Sequence, residues 1–330
     1  MKVSIIIPVY NVEAYIVECL ESVAHQTYQG EMECFIVDDC GTDQSIALAE
    51  DFIRSYQGDI HFRILHHDHN RGLSAARNTG TDAATGDYIY FLDSDDVIIP
   101  ETIEAMMQVV HKHPQVEMVQ GGIDDIRGGS IFDFTIIQLP EYTTNKLWIS
   151  KNMFFSLPVS SWNRLLKREF LQKENITFHE GIIHEDVPYN FLLALKCQHV
   201  GFVRRNTYIA RTQRVGSITN TPQEQFALQS RLKILHDNID VYLSCLFETK
   251  ELQSVALNAI WEKWLYYMMI HKKETLSCFT SEISKISERM SSITPFPQKL
   301  VAGFYHSLPL KFMGNKKIIK VVSSFLSCRI

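Results

Sequence analysis

The chain has 330 residues, a formal net charge of -6, 45% hydrophobic and 21% charged residues, the balance of a folded globular protein, which excludes a disordered or fibrous chain. Its length suits one large domain with a smaller appendage. No run reaches the roughly 20 apolar residues that cross a bilayer, and Pro8 and Asn11 interrupt the apolar start before a signal-peptide core forms, so the sequence reads as a cytoplasmic protein.

The first hundred residues read as strands alternating with helices. Val3 to Val9 is an almost unbroken apolar run, the pattern of a strand buried on both faces of a parallel sheet. Asn11 is the expected cap of a helix in which Val12, Tyr15, Ile16, Cys19, Leu20 and Val23 share one face. Glu33 to Val37 is the second strand, and Thr42 or Asp43 caps a second helix carrying Ile46, Ala49, Phe52 and Ile53. Phe62 to Leu65 and Tyr88 to Leu92 supply two more strands, which gives an α/β fold with a mostly parallel sheet flanked by helices. Residues 147–220 hold aromatic and polar clusters and resume the same domain. After Thr221-Pro222 come long helices, Phe226 to Leu246 and Leu252 to Ile270, the latter with Trp261, Trp264, Leu265 and Met268 on one side. The expected organisation is a domain at 1–220 followed by a helical region at 221–330, with a linker from Ser291 to Pro297.

Charge is unevenly spread. Arg289 to Ile330 holds seven basic residues and no acidic one, so the tail calls for an anionic partner. The acidic body argues against nucleic acid. Ile318, Ile319, Val322, Phe325 and Leu326 form one helical face opposite Lys316, Lys317 and Lys320, which suits peripheral contact with the inner face of a membrane, or packing on its own chain or on a second subunit of a homo-oligomer. The seven cysteines are scattered without a C-x-x-C pair, which suggests neither a disulfide framework nor a zinc site.

In open α/β sheets ligands bind beyond the carboxyl ends of the strands, where this chain puts acids. Asp93-Ser94-Asp95-Asp96 follows the fourth strand. Three carboxylates in four residues repel one another, and a divalent cation with hard oxygen preferences makes the cluster favourable. Asp38 and Asp39 end the second strand, and Asp39 is the candidate acceptor of a base N–H, while Asp43 suits a cap. Asn70 to Asn78 offers Arg71 and Arg77, which suit a pyrophosphate or a surface ion pair. His184-Glu185-Asp186 opens an apolar stretch as a general base or as a helix N-terminal acid pair. Arg211 to Thr219, with Arg214 and Ser217, is a phosphate cradle or a basic surface loop. His66-His67-Asp68-His69 has no complementary spacing elsewhere for zinc.

Taken in order, Ile7-Pro8-Val9-Tyr10-Asn11, Asp38 to Ser45, Asn70 to Asn78, Phe91 to Asp96, Trp162-Asn163-Arg164-Leu165, Glu180-Gly181 with Glu185-Asp186, and Arg211 to Thr219 resemble the family 2 glycosyltransferases of the GT-A fold, of the type that builds bacterial surface or capsular polysaccharides. The resemblance implies a nucleotide-sugar donor, usually UDP-linked, held with Mn2+ or Mg2+, and a glycan or lipid-linked saccharide acceptor. It implies that Pro8 and Tyr10 line the base pocket, Asp39 binds uracil, Arg77 holds the nucleotide, and Arg211, Arg214 and Ser217 close over the diphosphate. Asp95 is then the principal metal ligand, with Asp93 near the ribose and the metal. Asp186 is the base, Glu185 its acceptor-site neighbour and Trp162 a platform for a sugar face. The chain has Cys40-Gly41 where the family commonly has Gly-Ser, which predicts an altered turn of unchanged length. A sugar-phosphate nucleotidyltransferase fits less well, because Pro8-Val9-Tyr10-Asn11 replaces a Gly-rich basic loop; a non-catalytic glycan-binding or scaffold relative fits poorly with Asp39, Asp93, Asp95 and Asp186 all present.

Overall fold

The computed structural model describes residues 1–134, 138–212, 224–271 and 273–293. Arg214, Ser217 and the basic C-terminal segment lie outside the described residues. By contacts the chain forms two units, one of Met1–Ile149, Pro158–Gly181 and Lys196–Ser217, the other of Ser150–Leu157, Ile182–Leu195 and Ile218–Ile330.

The first unit is built on a ten-stranded sheet. Its first half alternates β1 (Val3–Val9), α1 (Ile16–Ala24), β2 (Met32–Asp38), α2 (Ser45–Ser55), β3 (His61–His66), α3 (Leu73–Ala83) and β4 (Tyr88–Phe91). The second half adds β5 (Val97–Ile98), α4 (Thr102–Lys112), β6 (Met118–Asp125), β7 (Ser130–Phe132), β8 (Tyr142–Thr143), β9 (Arg164–Lys167), α6 (Arg168–Lys173) and β10 (Val200–Ala210); helix α5 (Lys146–Phe155) begins in this unit. The strand order is β3-β2-β1-β4-β9-β6-β10-β5, with β7 on β6 and β8 on β10. Strands β3, β2, β1 and β4 run parallel, β9 runs against β4 and β6, and β10 runs parallel to β6. The carboxyl ends of β2, β3, β4, β6 and β10 therefore share one edge. The sheet is the expected mostly parallel one, and every residue of β1 is buried, as its apolar run requires.

Two tight approaches hold this unit together. A Cβ at Gly80 on α3 would meet Ile6 Cγ2 at 2.4 Å, so only glycine lets the helix settle on β1. A Cβ at Gly121 would meet Thr207 Oγ1 at 2.0 Å, so β6 and β10 approach over a missing side chain. Asn163, buried in the loop before β9, binds around this point. Its Nδ2 donates to the carbonyls of Gly121 (2.9 Å) and Gly122 (3.0 Å), and its Oδ1 accepts from Tyr90 (3.2 Å) and Thr207 (2.8 Å).

Two local expectations are corrected. Helix α2 begins at Ser45 after Gln44, so neither Thr42 nor Asp43 is its cap residue. Helix α1 begins at Ile16, and Tyr15 precedes it with no side-chain cap. Asn11 sits instead at φ +52 with its Oδ1 accepting the Thr42 N–H at 2.7 Å. The left-handed backbone turns its amide away from the helix start and toward the loop after β2. Val12 N–H donates to Ser45 Oγ and Glu13 N–H to Asp43 Oδ2, both at 2.8 Å, so the two loops are laced together.

The second unit is helical. It contains α7 (Asp186–Lys196) except for the last residue, with α8 (Glu224–Ser244), α9 (Lys250–Ile270), α10 (Lys273–Cys278) and α11 (Thr280–Ile293). Leu228, Leu232, Leu235, Ile239, Ile260, Trp261, Trp264, Met268, Ile286 and Met290 share one core. Thr249 caps α9, its Oγ1 accepting the Leu252 N–H at 3.1 Å. No helix of the described residues is long and apolar enough to cross a membrane.

Candidate functional site

The turn after β4 gathers the acids. Arg77, on α3 and only 1% exposed, donates from Nη2 to Asp93 Oδ1 at 2.7 Å while its guanidinium lies over the Phe178 ring, 5.2 Å from the centroid. The guanidinium fixes one carboxylate oxygen and leaves Asp93 partly open to solvent. Asp96, 6% exposed, accepts the Tyr208 hydroxyl at 2.7 Å and the Arg211 N–H at 2.6 Å. Arg211 Nε donates to the Asp95 carbonyl at 3.0 Å, and its Nη2 reaches Glu18 at 2.8 Å. Burial, then the charges of Asp95 and Asp93, push the Asp96 carboxyl up to about 8.

Trp162 is brought to the same place. Its ring stacks on Tyr208 with centroids 4.4 Å apart and planes 19° from parallel, and the Tyr208 hydroxyl also accepts the Asp93 N–H at 3.3 Å. The aromatic platform and the acid turn are thus joined through one tyrosine.

Just beyond β2, Asp39 is buried, 3% exposed, with its carboxylate largely engaged by the chain. Oδ1 meets His67 Nδ1 and the Arg71 N–H, each at 2.7 Å, and Oδ2 accepts the Gly72 N–H at 2.8 Å. Three of its roughly four acceptor positions are taken, so Asp39 shapes the loop that starts α3 and has room for one further donor. The neighbouring Cys40 stands at φ +56, and its Sγ donates to the His67 carbonyl at 2.9 Å. At Cys40-Gly41 the chain thus places a left-handed residue that carries a side chain. Pro8 is buried at the end of β1, and Tyr10 after it is 46% exposed.

The structure brings Arg77, Asp93, Asp95, Trp162 and Arg211 together around one turn. Glu185, buried, and Asp186, the first residue of α7, belong to the second unit, where the N-terminal end of a helix favours their negative charge.

Sequence reasoning missed Tyr208 and His67, which hold the assigned acids, and gave Asp96 no role of its own. Tyr208 reads as one more apolar strand residue, and His67 was hidden in the His66-His67-Asp68-His69 run. Also missed was Asp125 at the end of β6, held well below the usual carboxylate range by hydrogen bonds from Arg127 and Thr212. A cavity of about 800 Å3, lined in part by Phe134, Trp148 and Arg204, involves the loop around β8, which pairs with the opposite, N-terminal end of β10.

Among the described residues no three His, Cys, Asp or Glu side chains stand as a preassembled metal cage. Asp93 and Asp95 nevertheless offer the hard carboxylate oxygens that Mn2+ or Mg2+ prefer. The charges of Asp95 and Asp93, which add to burial in raising Asp96, are what a divalent cation offsets, so the donor set fits such an ion.

Comparison with known proteins places this architecture. Residues 4–173 match the family model described as glycosyl transferase family 2. The Bacillus subtilis protein EpsJ, described as an uncharacterized glycosyltransferase, is 31% identical over 229 residues, which are 67% of this chain and 63% of that one. The chain therefore matches just under two thirds of that relative's length. Among solved structures, Staphylococcus aureus TarS 1-349 in complex with UDP-GlcNAc superposes with a TM-score of 0.72 at 21% identity, covering 98% of this chain and 91% of that one. The Pyrobaculum calidifontis mannosyltransferase PcManGT, in complex with GDP-Man and Mn2+, superposes with a TM-score of 0.58 at 15% identity, covering 99% and 87%.

Proposed function

The chain belongs to glycosyl transferase family 2, and from that premise we propose that it is an inverting, metal-dependent transferase that moves a hexose or N-acetylhexosamine from a UDP-linked donor to a hydroxyl of a glycan or lipid-linked saccharide in surface polysaccharide synthesis. The observation that carries this reading is the acid turn at 93–96, at the carboxyl edge of the sheet, held by Arg77, Tyr208 and Arg211. The UDP-GlcNAc in the TarS structure supports the choice of nucleotide.

In this reading the domain at 1–220 binds the donor and the helical region at 221–330 follows it, with peripheral attachment to the inner face of the membrane through the basic tail. Pro8, Tyr10 and Asp39 receive the base, while Arg77 holds Asp93 rigid beside the ribose. Asp95 and Asp93 hold the divalent ion, which when bound offsets the charge that grows on the departing diphosphate. Arg211, Arg214 and Ser217 add donors to that diphosphate. Trp162 presents its ring to a sugar of the acceptor, and Glu185 steers the acceptor beside Asp186. Asp186 takes the proton as the acceptor oxygen attacks the anomeric carbon; the bond from that carbon to the diphosphate oxygen breaks, and configuration inverts.

A thermal-shift panel of nucleotide sugars and free nucleotides, each with and without Mn2+, tests the reading, because a ligand that binds only the folded state raises its melting temperature. A metal-dependent shift with UDP, larger for one of its sugars, is expected, and no shift with any nucleotide would overturn the proposal. Asp186→Asn is expected to abolish transfer with nucleotide binding near normal, and Asp95→Asn to remove the metal-dependent part of the shift.

A further inference from the structure

Helix α7 starts at Asp186, and the device that sets its start lies two residues upstream. His184 stands at φ +63, a left-handed conformation that strains a residue with a side chain. An ordinary residue preceding a helix has extended backbone and needs no such strain. The His184 carbonyl accepts the Val187 N–H at 3.1 Å, which closes the first turn around Asp186.

This conformation is held from α8 and the end of α9. Arg231 Nη2 bonds His184 Nε2 at 2.9 Å, and its Nη1 bonds Nε2 of His271, the residue that ends α9, at 2.8 Å. The Ile183 N–H donates to Ser230 Oγ at 3.3 Å, a second tie between this segment and α8. Burial, and then the charge of Arg231, lower both imidazoles, His271 to about 4. Both rings are therefore neutral at pH 7, and each accepts through Nε2 with its proton on Nδ1. Arg231 also lies over the Tyr267 ring, 5.6 Å from the centroid, so its flat fork is held on three sides.

We propose that His184, braced by Arg231, is a positioning residue for sugar transfer: it fixes the turn that presents Asp186 at the head of α7. This rests on the assignment of Asp186 as the base. Strain at one residue that is over-determined by a rigid donor is the arrangement expected where a reacting group must stay in place.

The test uses the full chain and reads UDP release from the sugar nucleotide that gives the largest shift in the panel above, together with backbone amide exchange over residues 184–189. His184→Ala is expected to lower kcat about ten- to a hundredfold, and to leave the donor KM within about twofold. Exchange over 184–189 quickens, and the global melting temperature stays within a few degrees. His184→Gln, whose amide oxygen can take the Arg231 N–H, restores most of the rate. His184→Gly, which relieves the backbone but offers no acceptor, behaves like the alanine variant. Wild-type turnover in His184→Ala or His184→Gly beside an inactive Asp186→Asn would overturn the positioning role and leave the base assignment standing. Turnover in Asp186→Asn would overturn the base assignment and the positioning role together.

Discussion

Single residues show where composition and geometry part company. Cys40 occupies a left-handed position that favours glycine; its N–H donates to Asp38 Oδ1, which a glycine would keep, and its side chain adds a weak thiol donation to the His67 carbonyl. Cys40→Gly is expected to stabilise the protein by about 0.5–1 kcal/mol, read as a higher melting temperature; a fall would show that the thiol outweighs the backbone term. Tyr208 points the other way, because its hydroxyl donates to the buried Asp96 carboxyl while its ring carries Trp162. Tyr208→Phe keeps the stack and removes the donor, so a destabilisation of about 1–3 kcal/mol is expected in chemical denaturation, the cost of a buried polar group left short of a partner. The acids at 93–96 were legible because they follow an apolar strand. Tyr208 was not, because its hydroxyl matters only once β10 lies beside the acid turn.

Elements were readable where one face or both are uniformly apolar. Strand β1 and helices α8 and α9 match their expected spans to within about two residues. Strand β6 was not foreseen, since Gly121-Gly122 within it reads as a break. In the structure those glycines admit Thr207 and Asn206 from β10. Gly121→Ala is therefore expected to cost about 1–3 kcal/mol by overpacking, seen as a lower denaturation midpoint, and pairing it with Thr207→Ala, which removes the hydroxyl it would meet, should show coupling between the sites. The misread start of α1 has a similar origin. Asn11 carries the composition of a helix cap, but its partner is a backbone N–H 31 residues away, which no local window contains.

For the molecule as a whole, acid should act on the two units in succession. The folded value of His271 lies below the ordinary one, so the unfolded chain takes up the proton first: its stabilising contribution is complete above about 6.5 and is lost as pH falls through about 4. Glu33, in the first unit, is opposed by burial but lowered to about 2 by hydrogen bonds from Lys2, Ser4 and Thr85, so its contribution persists to lower pH and is lost between about 4.5 and 2. Thermal melts from pH 7.5 to 3 should thus show the helical unit weakening first; loss of both units together would contradict this. The indole rings offer a natural way to watch. Trp261 and Trp264 are buried in the helical core, whereas Trp162 rests on the tyrosine that touches the acid turn. That stack makes Trp162 a built-in fluorophore for the carboxyl edge, so a cation or diphosphate arriving there should change its emission before any sugar has moved.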